Sequence, residues 1–213
     1  VLLLNQGDDT FAHAESSAGV GSFLLGWGTL FFDYDNNGYL DLYVCNQGPN
    51  RLYHNDLGFP CPDVAPDLGL ATEIYSHGVA VADIDLDGDL DVLVEGFGVP
   101  AQLYVNHEGD QRNWLQVKLF GATANTQAVG ARVSILSGGR EQYREVRAGV
   151  GFKSSSSLVL PFGLDDETVV DELRVEWPTG PDTVMLDVPV NQRIVVNQDA
   201  SIPPVRPRSS QAR

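Results

Sequence analysis

The strongest constraint on this chain is an internal repeat. Residues 28–46 read GTLFFDYDNNGYLDLYVCN and residues 78–96 read GVAVADIDLDGDLDVLVEG, aligned without a gap at an offset of 50. Gly28, Asp33, Asp35, Gly38, Leu40, Asp41 and Val44 recur as Gly78, Asp83, Asp85, Gly88, Leu90, Asp91 and Val94. Downstream, Arg51-Leu52-Tyr53-His54-Asn55 is echoed by Gln102-Leu103-Tyr104-Val105-Asn106. Ser17 to Val20 is echoed by Pro66 to Leu70, and Leu2 to Asn5 matches the downstream part of an earlier copy. A fixed period of this length marks a repeat architecture, whose units bury their apolar faces against one another.

Each copy carries strand chemistry. Leu40, Leu42 and Val44 recur at every second position, as do Leu90, Val92 and Val94, the period of two of a half-buried strand. Gly and Asn clusters separate these runs. Four-stranded units at this spacing point to an all-β chain of propeller-type blades. Closed propellers take at least about four blades, so two copies and a fragment make an incomplete propeller. Its open edges invite association. Completion by a longer native chain, by packing on the C-terminal region, or by several chains are the options. Val1 is no initiator Met, and the apolar run behind it is too short for a signal peptide, which points to a processed or excised piece.

Charge divides the chain. Residues 1–110 hold 18 acids and the single base Arg51, whereas residues 111–213 hold 11 acids and 12 bases. The expected organisation is therefore 1–110 as repeats, 111–199 as a second β domain of sandwich-like form, and 200–213 as a disordered Pro- and Arg-containing tail. So acidic an N-terminal part repels nucleic acid and anionic membrane and attracts cations. No run approaches the roughly 18 apolar residues of a membrane span. Cys45 and Cys61 can close a small disulfide loop in an oxidising compartment, or Cys45 can be a small buried strand residue.

The acids of the repeat lie in two nonapeptides, Asp33 to Asp41 and Asp83 to Asp91, both fitting D-x-D-x-[DN]-G-x-x-D. Side-chain oxygens at positions 1, 3 and 5 converge when the chain curls around a cation, and Gly at position 6 permits the sharp turn. Position 7 offers a backbone carbonyl and position 9 returns a carboxylate. The expected ligands are Asp33, Asp35, Asn37, Tyr39 and Asp41 in the first loop, and Asp83, Asp85, Asp87, Asp89 and Asp91 in the second. Oxygen donors without His or Cys favour calcium, about two ions per chain. The second loop, with four carboxylates at the side-chain positions, is expected to bind more tightly. An EF-hand is excluded, because position 12 is Val44 or Val94 and strands flank the loops. The plainer alternative is a pair of acidic turns held by Asx hydrogen bonds.

These loops and their flanks resemble the FG-GAP/VCBS repeats. A second resemblance runs from Asn113-Trp114-Leu115 through Gly130-Ala131-Arg132-Val133, Gly138-Gly139-Arg140 and Glu145-Val146-Arg147 to Phe162-Gly163-Leu164 and Val175-Glu176-Trp177-Pro178. That series is similar to the ASPIC/UnbV domain of cartilage-acidic-protein-like chains. The resemblance implies calcium in the repeats and a secreted or cell-surface location, and it carries no catalytic residue.

In the C-terminal region, 114–119, 131–136, 141–146, 157–160, 172–177 and 193–197 read as strands, with Ser137 to Arg140 as a hairpin turn. Ser154 to Ser157 lack a nucleophile frame and read as a polar turn or strand edge. The four histidines lack metal-binding spacing, and Trp27, Trp114 and Trp177 read as core. Arg132, Arg140, Arg144 and Arg147 form an anion-binding face or an ordinary balanced sheet surface. Three functions follow: an extracellular module for protein or glycan adhesion with structural calcium, a subunit assembling through open blade edges, or a polysaccharide-acting enzyme. The first is preferred because no acids outside the loops suggest a catalytic pair.

Overall fold

The computed structural model describes residues 1–21, 24–122, 124–199 and 201. The fold is all-β. A short hairpin, β1 (Leu3–Asn5) with β2 (Phe11–His13), precedes two three-stranded antiparallel sheets. The first sheet is β3 (Gly26–Phe32), β4 (Asp41–Asn46) and β5 (Arg51–Tyr53), and the second is β6 (Ser76–Ala82), β7 (Asp91–Gly96) and β8 (Gln102–Tyr104). Three strands per unit replace the four expected. The repeat extends to detail. Phe32 pairs with Asp41 and Leu42 with Tyr53; Ala82 pairs with Asp91 and Val92 with Tyr104. Val20 N donates to Glu15 O and Leu70 N to Ala65 O, at turns whose Gly19 and Gly69 have φ of 69° and 71°. One core joins both sheets, with Tyr43, Leu52, Val79 and Val94 almost wholly buried. Gly28 lets β3 meet β6 closely, since a Cβ there would lie 2.5 Å from His77 O.

The C-terminal region stacks two sheets over a second core. One has the order β11 (Arg140–Glu145), β10 (Arg132–Ser137), β13 (Val169–Glu176), β14 (Thr183–Pro189). The other has β12 (Leu160–Asp165), β9 (Asn113–Phe120), β15 (Gln192–Asn197), with β15 parallel to β9. Alternate residues Val133 and Ile135, and Leu173 and Val175, face Leu115, Val117, Leu119 and Phe162 in that core. Gly138 and Gly139, both at positive φ, turn β10 into β11 with Ser137 opposite Arg140.

Two expectations about the C-terminal strands need correction. Residues 157–159 are not strand; β12 starts at Leu160 and runs through Pro161 and Gly163. The strand Thr183–Pro189 was not anticipated. Both are edge strands, where Pro and Gly cost little because one row of backbone groups needs no ladder partner. Ser156 and Ser157 instead bond Val81 on the free side of β6, through Val81 N to Ser156 Oγ (3.2 Å) and Ser157 N to Val81 O (3.1 Å). Cys45 and Cys61 are buried free thiols. Trp177 is core, but Trp27 is 38% exposed. The tail expectation for residues 202–213 lies outside the described residues. If the two stacked sheets form one cooperative core, Leu173→Ala should cost about 2–5 kcal/mol in urea unfolding. Leu186→Ala, on the exposed face of β14, should cost less than about 0.5 kcal/mol.

Candidate metal centres

Each acidic nonapeptide links a blade's first strand to its second. Gly38 (φ 87°) and Gly88 (φ 109°) take the left-handed conformation that position 6 was expected to need. Position 4 does too, at Asn36 (φ 57°) and Leu86 (φ 69°). For Leu86 that conformation costs about 1–2 kcal/mol.

The same hydrogen-bond frame braces both loops. Asp41 Oδ2 accepts from Tyr34 N (3.1 Å) and Oδ1 from Asn55 N (2.8 Å). Asp91 Oδ2 accepts from Ile84 N (2.8 Å) and Oδ1 from Asn106 N (3.0 Å). Position 5 caps the turn: Asn37 Oδ1 accepts from Tyr39 N (2.7 Å) and Asp87 Oδ1 from Asp89 N (3.2 Å). These Asx bonds shape the turns but leave lone pairs on the carboxylates.

Beyond the frame the loops diverge. In the second, carboxylate oxygens of Asp83, Asp85 and Asp91 lie within 4.8 Å of one another. In the first, Asp35 and Asp41 meet His54 within the same limit; His54 Nδ1 is 3.4 Å from Asp41 Oδ1 and 3.8 Å from Asp35 Oδ2. Asp33 folds under its own loop, accepting from Asn37 N (3.1 Å) and Gly38 N (2.8 Å). Asp87 groups with His107 and Asp110 at the surface. The Asp89 carboxylate turns inward, where Oδ2 accepts from Gly109 N (3.2 Å) and Oδ1 is buried without a hydrogen-bond partner. The loops therefore bring together five of the expected carboxylates and turn Asp33, Asp87 and Asp89 elsewhere.

Sequence reasoning missed the residues that the C-terminal region lays on the loops. Arg112 Nη1 lies 2.8 Å from Asp35 Oδ2 and donates to Asp35 O (2.6 Å), while its Nε is 3.1 Å from Asp165. Arg140 donates to Asn37 O (2.9 Å) and covers the Tyr39 ring, 4.7 Å from its centroid. On the second loop, Gln116 Nε2 (2.7 Å) and Arg193 Nη2 (3.2 Å) donate to Asp83 Oδ2. The Trp114 indole seats on Gly88 so closely that a Cβ there would come within 1.9 Å of it. Among them Arg140 carried a signal, as part of the arginine group read as an anion-binding face or a balanced sheet surface. His54 has Val105 as its counterpart in the second copy, so the repeat gave it no signal.

Burial leaves the loops electrostatically unbalanced. It pushes the Asp33 carboxyl up to about 7, with Asp35 adding repulsion. Burial raises Asp41 to about 8, and burial followed by the charge of Asp87 raises Asp89 to about 8. A divalent oxygen-seeking cation fits the second loop on donor chemistry, with three convergent carboxylates and no nitrogen or sulfur among them. In the first loop a cation would have to share the carboxylates with His54 and meet Arg112.

Comparison with known proteins finds two family matches along the chain. Residues 33–94 match the FG-GAP-like repeat family and residues 121–203 match the ASPIC and UnbV family. Cartilage acidic protein 1 of Homo sapiens is 28% identical over 170 residues, covering 70% of this chain and 24% of that protein. Its Xenopus tropicalis counterpart is 29% identical over 170 residues, covering 70% of this chain and 25% of that protein. The chain thus spans about a quarter of the length of the curated relatives it matches. A crystal structure of a candidate cell adhesion protein from Bacteroides ovatus covers 85% of this chain and is itself covered to 84%, at 11% identity and a TM-score of 0.23, too remote to bear on fold or function. No helix among the described residues is long and apolar enough to cross a membrane. The chain thus carries a match to the FG-GAP-like repeat family followed by a match to the ASPIC and UnbV family.

Proposed function

We propose that this chain is an extracellular binding module whose repeats are clamped by calcium, the ion being structural and the partner a protein or glycan. In this reading residues 1–110 are the calcium-bearing repeats, 111–199 the domain docked on them, and 200–213 the tail. The observation that carries it is the convergence of Asp83, Asp85 and Asp91 on a backbone frame that the first loop reproduces. Asp35, Asp41 and Asn37 are the corresponding first-loop ligands. When bound, the cation supplies the positive charge these carboxylates lack. The chain's own contribution is to hold the oxygens in place through Ile84, Asn106, Tyr34 and Asn55. The extracellular placement is supported by the relatives named for cartilage.

A partner-facing surface is supported by an aromatic group at the other end of the blades. Trp27 lies 5.1 Å from both His77 and Phe152, and His77 lies 6.1 Å from Phe97, between ring centroids. Phe97 is 81% exposed. Aromatic faces of this kind stack on sugars or anchor a protein interface.

Calcium and protons should compete at Asp41, the proposed ligand among the three carboxyls, Asp33, Asp41 and Asp89, that burial raises. The raised carboxyls bind protons more tightly in the folded state than in the unfolded one, so their stabilising effect is complete at low pH and is lost as pH rises through about 7 to 8. In metal-free buffer this set of groups should lower the melting temperature between about pH 5 and about pH 8. Millimolar calcium should restore stability most at the upper end. A calcium effect that is larger at the lower end would contradict the assignment. Asp83→Asn, read by calcium titration calorimetry, should weaken the tighter binding event at least about tenfold, the equivalent of about 1.4 kcal/mol; unchanged affinity would move the site elsewhere.

Assembly is a second reading, favoured by β8, an edge strand on which Leu103 is 48% exposed beside Val105 at 52%. Light scattering decides it: a mass several times 23.1 kDa supports assembly through blade edges, and a monomer mass excludes it.

A further inference from the structure

We propose that Arg112 is a built-in competitor of calcium at the first loop, so that cation binding there and the hold of the C-terminal region on that loop oppose each other. The inference rests on the calcium reading above.

Asp35 is a first-loop ligand with both carboxylate oxygens engaged. Its Oδ1 accepts from Asn37 N (3.3 Å), and its Oδ2 faces both His54 Nδ1 (3.8 Å) and Arg112 Nη1 (2.8 Å). Arg112 also donates to the Asp35 carbonyl (2.6 Å), so the guanidinium grips one residue at two points. A cation placed between Asp35 and Asp41 must use the oxygen that this guanidinium already holds, or sit beside a like charge in a buried site. Either way the interaction is unfavourable, because charges of the same sign repel more strongly away from water. The second loop differs. Arg193 spends its Nε (2.8 Å) and Nη2 on Gln116 Oε1, and its contact with Asp83 Oδ2 is longer at 3.2 Å. The nearer donor to that oxygen is the uncharged Gln116 amide at 2.7 Å. Two copies of one motif are thus unequal, and part of the inequality comes from the domain packed against them.

The grip extends into the C-terminal region. Arg112 Nε reaches Asp165 Oδ1 (3.1 Å), the last residue of β12, which sits at a bulge in the pairing of β12 with β9. Asp165 N in turn donates to Asn36 O (2.9 Å) at the tip of the first loop. Coupling between two binding events is reciprocal. If Arg112 weakens calcium at the first loop, calcium at the first loop weakens the Arg112 contacts and exposes the Asp165 amide.

The test is calcium titration calorimetry on the whole chain as wild type, Arg112→Gln and Arg112→Lys, with hydrogen exchange at Asp165. Removing the charge should tighten or unmask the weaker event by at least about fivefold, the lower end of typical coupling, and leave the stronger event unchanged. Arg112→Lys, which keeps the charge, should behave as wild type. Calcium should speed exchange of the Asp165 amide in the wild type and have no effect on it in Arg112→Gln. Equal or weaker binding in Arg112→Gln overturns the inference, while the calcium reading survives. Absence of calcium binding in all three chains overturns both. Should Arg112→Gln fold too poorly for titration, the wild-type exchange experiment decides, and protection at Asp165 that calcium leaves unchanged or increases overturns the inference.

Discussion

Each blade is organised by one buried carboxylate. Asp41 and Asp91 are 0% and 1% exposed, and each accepts backbone hydrogen bonds from both sides of its acidic loop. One bond reaches back to the residue after the first aspartate; the other reaches forward to the asparagine beyond the third strand. Hydrogen bonds to a charged acceptor contribute about 1.5–3 kcal/mol each, against the larger cost of leaving such a group buried and unmet. The carboxylate thereby ties the start of the loop, the second strand and the exit of the blade to one point. Strand register, the positive-φ glycine and the cluster of further aspartates are arranged around that point.

That arrangement concentrates negative charge, and the chain answers it in two ways. The C-terminal region brings Arg112, Arg140 and Arg193 onto the loops, with Trp114 closing over Gly88. Gly163 makes the approach possible on the first loop, since a Cβ there would meet Asp33 Oδ2 at 2.1 Å and the Asn36 backbone at 2.6 Å. The second answer is burial itself, which pushes the Asp33, Asp41 and Asp89 carboxyls up toward neutrality. The loops are therefore the seam between the acidic repeats and the region packed behind them.

Much of this was legible in order along the chain. The offset of 50 residues set the two blades, alternation placed β4 and β7, and Gly at position 6 marked the turn, although in β4 the core face is Tyr43 and Cys45 rather than Leu42 and Val44. Legibility failed where structure depends on what lies across space. β12 and β14 carry Pro161, Gly163 and Pro189, which argue against strand until their edge positions are known. Trp27 reads as core by residue type, yet it lies at the blade surface among His77, Phe97 and Phe152. The spacing of the aspartates gave the ligand set for a loop alone; Asp33 and Asp89 turn inward, and His54 enters, because neighbouring segments fill the remaining volume.

The contact of Trp114 with Gly88 gives a direct optical probe of the second loop. A terbium ion, which seeks the same oxygen donors as calcium, should emit when the indole is excited. The emission should fall on addition of calcium and be lost in Trp114→Phe while calcium binding persists. No sensitised emission at millimolar terbium, or emission that is indifferent to Trp114→Phe, would contradict a cation site formed by Asp83, Asp85 and Asp91.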